Sequence, residues 1–310
     1  MKRELYICTK PLQYFNLKNI VKPDMDTHRT LLIKNNFRGS ELFLEKLKEK
    51  ETLWDEIVHT SSTKDYYKSI LKAKAQTLYI DNDSSAFLAL YSMFFRKTVY
   101  VYEEGFGTYR RYAIKHGVGK KKFLFYRLIG IRERIGNSIY VKGLYLYLPD
   151  LYKRLYPEYK KEIRSFDRTF ISELEQNMSL LLSCSDRVDE LLQHKNKSIA
   201  IYLTSHHVNN AIVDCLRSEK SEYDLVYVKP HPHIKDLTPF MSMHFEVIKS
   251  NIMVELLLLL LLNNGNKLTV YHENSTSVIW FQNRIENRNM GERIEEYNIV
   301  TSYILNEYKN

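Results

Sequence analysis

Cysteine is scarce in this chain: Cys8, Cys184 and Cys215 are the only three in 310 residues. An odd number at wide spacing offers neither a disulfide framework nor a cysteine metal site, so a reducing, cytoplasmic setting is expected. Long apolar runs are also missing. The longest, 252–262, is eleven residues and contains Glu255, too short and too polar to span a bilayer. The opening MKRELYICTK runs into a strand-like segment and has no apolar signal-peptide core. Metal motifs are wanting as well. Asp81-Asn82-Asp83 is the nearest approach to an acidic pair for a cation, and it reads as a turn ahead of a helix capped by Ser84. His206, His207, His233 and His244 follow no zinc spacing. No metal or other cofactor is expected.

What is present is a globular composition, 44% hydrophobic and 27% charged, in a length that suits two domains of about 150 residues. Net charge is +9, and it is concentrated. Segment 110–168 holds 16 basic and 5 acidic residues, net +11, which leaves the rest of the chain at −2. Tyrosines and phenylalanines are interleaved through it. Such a stretch suits an anionic membrane face or a polyanionic substrate, and nucleic acid by charge alone; it also suits an ordinary solvated helix face with tyrosine anchors.

Hydrophobic patterning alternates between strand and helix. Strands are expected at 3–9, 30–34, 53–58, 77–81 and 98–103, with helices from Pro11 and at 40–50, 64–75 and 84–95. The rhythm resumes with strands at 199–203, 223–228 and 268–271, and helices at 207–217, 252–262 and 275–281. A long helical stretch near 168–194 would join the two blocks. Alternation of this kind means βαβ units and parallel sheets. The expected fold is therefore α/β, two Rossmann-like domains facing across a cleft, at 1–167 and 168–310. Ligands of such sheets lie beyond the carboxyl ends of the strands.

Three strand ends carry chemistry. Glu103-Glu104-Gly105 follows the fifth strand; neighbouring side chains on an extended segment point to opposite faces, so one acid can face a cleft while the other pins the loop. A carboxylate there can act as general base. Lys229-Pro230-His231-Pro232 holds an imidazole between two prolines beside a cation, fit to bind or protonate a phosphate. Ser275-Thr276-Ser277 places hydroxyls at a helix start, where anions are favoured. Thr204-Ser205 is a weaker instance of the same arrangement.

In this order, the acidic pair with glycine, the His-Pro and the Ser/Thr pair resemble the motifs of bacterial GT-B sialyltransferases. These are the groups that hold lipooligosaccharide sialyltransferases, streptococcal capsule enzymes and polysialyltransferases. Cys8-Thr9-Lys10-Pro11-Leu12-Gln13 is similar to the T-x-PLQ turn of such enzymes, and Lys142-Gly143-Leu144-Tyr145-Leu146-Tyr147 looks like a segment of the capsular members. The departures are Glu-Glu for Asp-Asp and an Asn-Ser-Thr-Ser run for Ser-Ser. The resemblance implies inverting, metal-independent transfer of sialic acid from CMP-sialic acid to a sugar hydroxyl of a capsule or lipooligosaccharide. It makes Glu104 the base, with Glu103 as second choice, and places His231 at the leaving phosphate. Gly105, Lys229, Pro232, Ser275, Thr276, Ser277, Thr204 and Ser205 would bind the donor. Thr9, Pro11, Gln13, Tyr109 and Arg110 would lie on the acceptor side. Expected partners are CMP-sialic acid, an oligosaccharide acceptor and an anionic membrane surface met through 110–168, with no nucleic acid. The rival readings are another GT-B transferase, a nucleotide-sugar epimerase and a non-catalytic partner in capsule assembly.

Overall fold

The computed structural model describes the chain except residues 23, 35–39, 117, 232–233, 235–237, 242–244 and 309–310. It divides into two compact units, Met1–Asn177 and Met178–Lys309. The first is built on seven strands: β1 (Lys2–Cys8), β2 (Thr27–Lys34), β3 (Glu56–Thr60), β4 (Thr77–Ile80), β5 (Thr98–Tyr102), β6 (Val141–Leu146) and β7 (Glu162–Ser165). All pairings are parallel, in the order β3-β2-β1-β4-β5-β6-β7. The second holds β8 (Ser198–Leu203), β9 (Leu225–Lys229), β10 (Glu246–Val247), β11 (Lys267–His272) and β12 (Glu286–Asn289), again parallel, in the order β10-β9-β8-β11-β12. In each sheet the first strand in sequence has neighbours on both sides. The order reverses there, between β1 and β4 and between β8 and β11, which are the topological switch points of doubly wound sheets.

The central strands are buried on both faces and read as apolar runs for that reason. One face of the first sheet carries a tyrosine ladder. Tyr6 and Tyr79 are register partners stacked with ring centroids 4.4 Å apart, and Tyr79 and Tyr100 follow at 5.6 Å. Arg164 on β7 closes the ladder, donating to the hydroxyls of Tyr145 and Tyr100 at 2.7 and 3.0 Å. In the second unit the apolar run at 252–262 becomes the helix Val254–Asn263, with Leu256 to Leu261 all buried. A helix apolar all round is a core helix. Among the described residues no helix is long and apolar enough to cross a membrane.

Several expectations need correction. The strand expected at 53–58 forms at Glu56–Thr60. Strands β6, β7, β10 and β12 were not anticipated. β12 reads Glu-Asn-Arg-Asn and β7 Glu-Ile-Arg-Ser, polar sequences that pair as edge strands and give no apolar signal. The long helix expected near 168–194 is three short ones, Phe170–Gln176, Met178–Ser183 and Val188–Leu192. The helix expected at 275–281 is a 3₁₀ helix, Thr276–Phe281.

Gly143 explains why a glycine interrupts β6. A Cβ there would lie 2.6 Å from the Glu162 carbonyl oxygen of β7, a backbone atom that can move only with its strand. Gly143→Ala is expected to destabilise the first unit by about 1–3 kcal/mol, the usual cost of overpacking. Urea denaturation followed by tyrosine fluorescence measures it, and an unchanged midpoint would contradict the close approach.

Candidate active site

In the first unit the polar side chains gather past the carboxyl ends of β1, β4, β5 and β6. The turn after β1 leads through Thr9 and Lys10 into the helix Pro11–Lys18, with Pro11 at its first position, where a missing N–H costs nothing. Gln13 is wholly buried. Its Oε1 accepts from the backbone N–H and the hydroxyl of Thr9 at 2.6 and 3.0 Å, and its Nε2 donates to Asp81 Oδ2 at 2.9 Å. One amide thus ties the β1 turn to the residue that follows β4. Lys10 forms an ion pair with Glu104, which follows β5.

The two glutamates separate as alternation requires. Glu103 is 1% exposed. Its Oε2 accepts from the Tyr109 hydroxyl at 2.5 Å and from the Tyr147 backbone N–H at 2.8 Å. Its backbone carbonyl accepts from Asn16 Nδ2 at 2.7 Å, and Asn16 Oδ1 accepts from the Tyr147 hydroxyl at 2.8 Å. Oε1 is buried with no hydrogen-bond partner among the described residues. Burial pushes the carboxyl up to about 8, against the opposing pull of the two hydrogen bonds. Burial thus favours the protonated, neutral form of this carboxyl. Glu104 is half-buried, its carboxylate reaching Lys10. Asp81 lies within reach of that charge: burial first, and the Glu104 carboxylate second, push it up to about 7.

Gly105 lets the chain turn directly after the acids. Its φ of 144° with ψ of −156° belongs to a region that side chains disfavour. The 3₁₀ helix Phe106–Tyr109 follows and carries the Tyr109 hydroxyl back to Glu103. Tyr109 is wholly buried and its carbonyl accepts from the Tyr156 hydroxyl at 2.6 Å, so both Tyr109 and Gln13 reach inward, to Glu103 and Asp81. Thr9, Pro11 and Arg110 are half-buried. Asp81-Asn82-Asp83 does not act as a unit. Asp83 is wholly buried and accepts the Gly136 and Ser138 N–H groups at 2.9 and 3.0 Å, while Asn82 Oδ1 accepts from Ser84 N. The helix cap is Ser85 rather than Ser84.

In the second unit Thr204 and Ser205 follow β8. Thr204 Oγ1 accepts from the backbone N–H of His231, past β9, at 2.7 Å. Ser205 Oγ donates to Glu273 Oε2 at 2.9 Å, and Asn209, the cap of the helix Asn210–Ser218, donates to Glu273 Oε1 at 3.0 Å. The rings of His206 and His231 are 4.3 Å apart. Lys229 is turned elsewhere: its ammonium donates to the Ser250 carbonyl, and burial lowers it to about 8. Pro232, with His233 and His244, lies outside the described residues.

The Ser275-Thr276-Ser277 run is held from behind by His272. That imidazole is buried, and burial lowers it to about 4, so it is neutral. Nδ1 accepts from Ser275 N at 3.1 Å, which leaves the proton on Nε2 for Asn287 Oδ1 at 2.6 Å. The Tyr297 hydroxyl donates to the Ser275 carbonyl at 3.0 Å. No hydrogen bond of the three hydroxyls is made to a described residue; Thr276 is exposed, Ser275 and Ser277 half-buried.

The sequence matches the family model described as alpha-2,8-polysialyltransferase (POLYST) over residues 5–260. The chain belongs to this polysialyltransferase family. The matched span includes the β1 turn, Glu103-Glu104-Gly105 and His231, and stops before Ser275. No curated protein sequence matches the chain. Similar solved structures share little sequence. UDP-N-acetylglucosamine 2-epimerase from Rickettsia bellii is 13% identical with a TM-score of 0.59, over 100% of this chain and 89% of that one. The Neisseria meningitidis UDP-GlcNAc 2-epimerase bound to UDP-GlcNAc is 13% identical with a TM-score of 0.57, over 99% and 92%. The wall teichoic acid polymerase TagF is 11% identical with a TM-score of 0.52, over 98% and 78%. These likenesses extend to both units and bear out the GT-B class of fold. Family membership makes the chain a glycosyltransferase of the sialyltransferase kind.

Sequence reasoning placed Lys10 only in the T-x-PLQ turn and Asp81 only in a turn before a helix, and did not join either to the Glu104 cluster where the structure puts them. Both follow strands that flank the switch point, and that position was the available signal.

Glu103 supplies a test that needs no substrate. A carboxyl raised above its ordinary value stabilises the fold fully below about pH 4.5, and that contribution is lost as pH rises toward about 8. Glu103→Gln keeps an acceptor for Tyr109 and Tyr147 and cannot ionise. Its melting temperature should fall less than that of the wild type between those pH values; parallel profiles would remove the protonated carboxyl from the account.

Proposed function

We propose that this chain transfers sialic acid from CMP-sialic acid to a hydroxyl of a growing bacterial surface glycan, with inversion and without a metal ion. The observation that carries the reading is the separation of the two acids: Glu103 is locked into the fold, and Glu104 is the half-buried carboxylate at the end of β5. A sugar hydroxyl is a weak nucleophile and needs a base. Glu104 would take its proton as the acceptor oxygen bonds to the anomeric carbon. The bond from that carbon to the CMP phosphate breaks on the opposite face, which inverts the centre. His231, with the hydroxyls of Ser275, Thr276 and Ser277, would receive the phosphate, and the imidazole would return a proton to it. The family's description supports a sialic acid terminus as the acceptor. The charge of 110–168 supports an anionic partner, either the polymer or the inner leaflet of a membrane, for an enzyme working on a capsule or lipooligosaccharide.

The two epimerase likenesses favour a second reading, interconversion of a UDP-sugar on the same scaffold. Release of CMP from CMP-sialic acid in the presence of oligosialic acid, undiminished by EDTA, is expected under the first reading. Conversion of UDP-GlcNAc with no CMP release would establish the second. Glu104→Gln should lower transfer by about 10²-fold or more and leave CMP affinity unchanged. Wild-type turnover in that variant, with Glu103→Gln inactive, would exchange the two roles. His231→Ala should weaken CMP binding and turnover together; normal values of both would take His231 out of the site.

A further inference from the structure

Part of the basic segment folds around a cavity of about 450 Å³, lined by Arg111, Arg127, Arg132 and Arg134 with Glu133 and Glu158 among them. Four arginines and two glutamates stand in its wall. Arg134 is 5% exposed. Its Nη1 donates to Glu158 at 3.0 Å, and its guanidinium lies 3.7 Å from the centre of the Tyr156 ring. Its Nε–H is buried and donates to no acceptor among the described residues.

Arg127 connects this cavity to an unusual helix, Lys120–Leu128. Phe123 and Tyr126, one turn apart, are its buried face. Its outward face carries Leu124, Phe125 and Leu128, exposed by 63%, 48% and 80%. Lys120, Lys121 and Lys122 precede them and Arg127 sits among them, all exposed. A single exposed leucine is ordinary; three large apolar side chains within five residues, ringed by four cations, form an interfacial pattern. An anionic polymer or a nucleic acid would satisfy the cations and leave the apolar side chains against water. An anionic bilayer satisfies both.

We propose that the helix Lys120–Leu128 and the arginine cavity form one docking surface for an anionic phospholipid bilayer. A headgroup phosphate would enter the cavity, and Leu124, Phe125 and Leu128 would enter the boundary with the acyl chains. The inference rests on the anionic-partner reading of 110–168 and not on the transfer chemistry.

The test is flotation of the full chain, without donor, on phosphatidylcholine vesicles with and without phosphatidylglycerol, at low and high salt. Wild type should bind the phosphatidylglycerol vesicles and retain part of that binding at high salt, because apolar contact is not screened. Leu124→Ser with Leu128→Ser should weaken binding at both salts by about tenfold or more. Arg127→Gln with Arg132→Gln should abolish the preference for phosphatidylglycerol. All four positions lie at or near the surface, and unchanged melting temperatures would show that the variants are folded. Wild-type vesicle binding in either double variant would overturn the proposal, as would complete loss of wild-type binding at high salt. Dissociation of a dimer by the leucine changes, with vesicle binding intact, would assign the face to a second copy instead. Loss of oligosialic acid binding in the arginine variant, with vesicle binding intact, would assign the cavity to the polymer. Transfer assays are separate from all of these, so a failure of the lipid surface leaves the proposed chemistry standing, and the reverse.

Discussion

The buried carboxyl of Glu103 sits where the ends of β5 and β6 meet the first helix, and side chains from three directions converge on that residue. Tyr109 arrives from the 3₁₀ turn, the Tyr147 backbone from past β6, and Asn16 from the helix after β1. Buried and bonded in this way, the Glu103 carboxyl acts as a hydrogen-bonding hub. Because adjacent residues on an extended chain face opposite ways, fixing Glu103 inward fixes Glu104 outward. The turn at Gly105 then becomes necessary, since the chain must double back within four residues to deliver Tyr109. One desolvated carboxyl thus determines the aim of its neighbour, the glycine that follows and the tyrosine beyond.

The two units solve the same positioning problem with different chemistry. Each has a strand that leaves the switch point and a partner strand that enters from the other side, so the loops beyond them diverge and leave polar groups without sheet partners. In the first unit those groups are acids and a lysine, bridged by the buried Gln13 amide. In the second they are hydroxyls and histidines around the Glu273 carboxylate and the His231 backbone. An acid suits proton removal from an acceptor, whereas hydroxyls and imidazoles suit a phosphate. The family match spans the first of these clusters and ends at residue 260, before the serines at 275 and 277.

The α/β alternation was legible because buried parallel strands are apolar on both faces and capped helices separate them. Ser62, Ser85 and Asn209 each accept from backbone N–H groups as caps. The edge strands were not legible, because β7 and β12 are stabilised by neighbours distant in sequence rather than by their own composition. At the site, the Glu-Glu-Gly pattern announced its turn, and alternation foretold that the two acids would part. Lys229 shows the limit of the same logic: it stands two residues before His231 in sequence, yet its ammonium is spent on the Ser250 carbonyl. Asp81 was hidden by its setting in Asp81-Asn82-Asp83, where the cap of the following helix gave a sufficient local explanation.

Asp81 bears on the electrostatic surroundings of the half-buried Glu104. Two carboxylates near one another in a partly dry site are costly to ionise together, and the burden falls on the one with the poorer surroundings. Asp81 is the more desolvated and is pushed up to about 7. Glu104 has the Lys10 ammonium against it and the greater access to water. Asp81 therefore holds or shares a proton close to neutral pH. Gln13 maintains this arrangement, since its Nε2 donates to Asp81 while its Oε1 is already committed to Thr9. The turn after β1 accordingly does more than begin a helix: through Lys10 it sets a cation against Glu104, and through Gln13 it holds Asp81 in place.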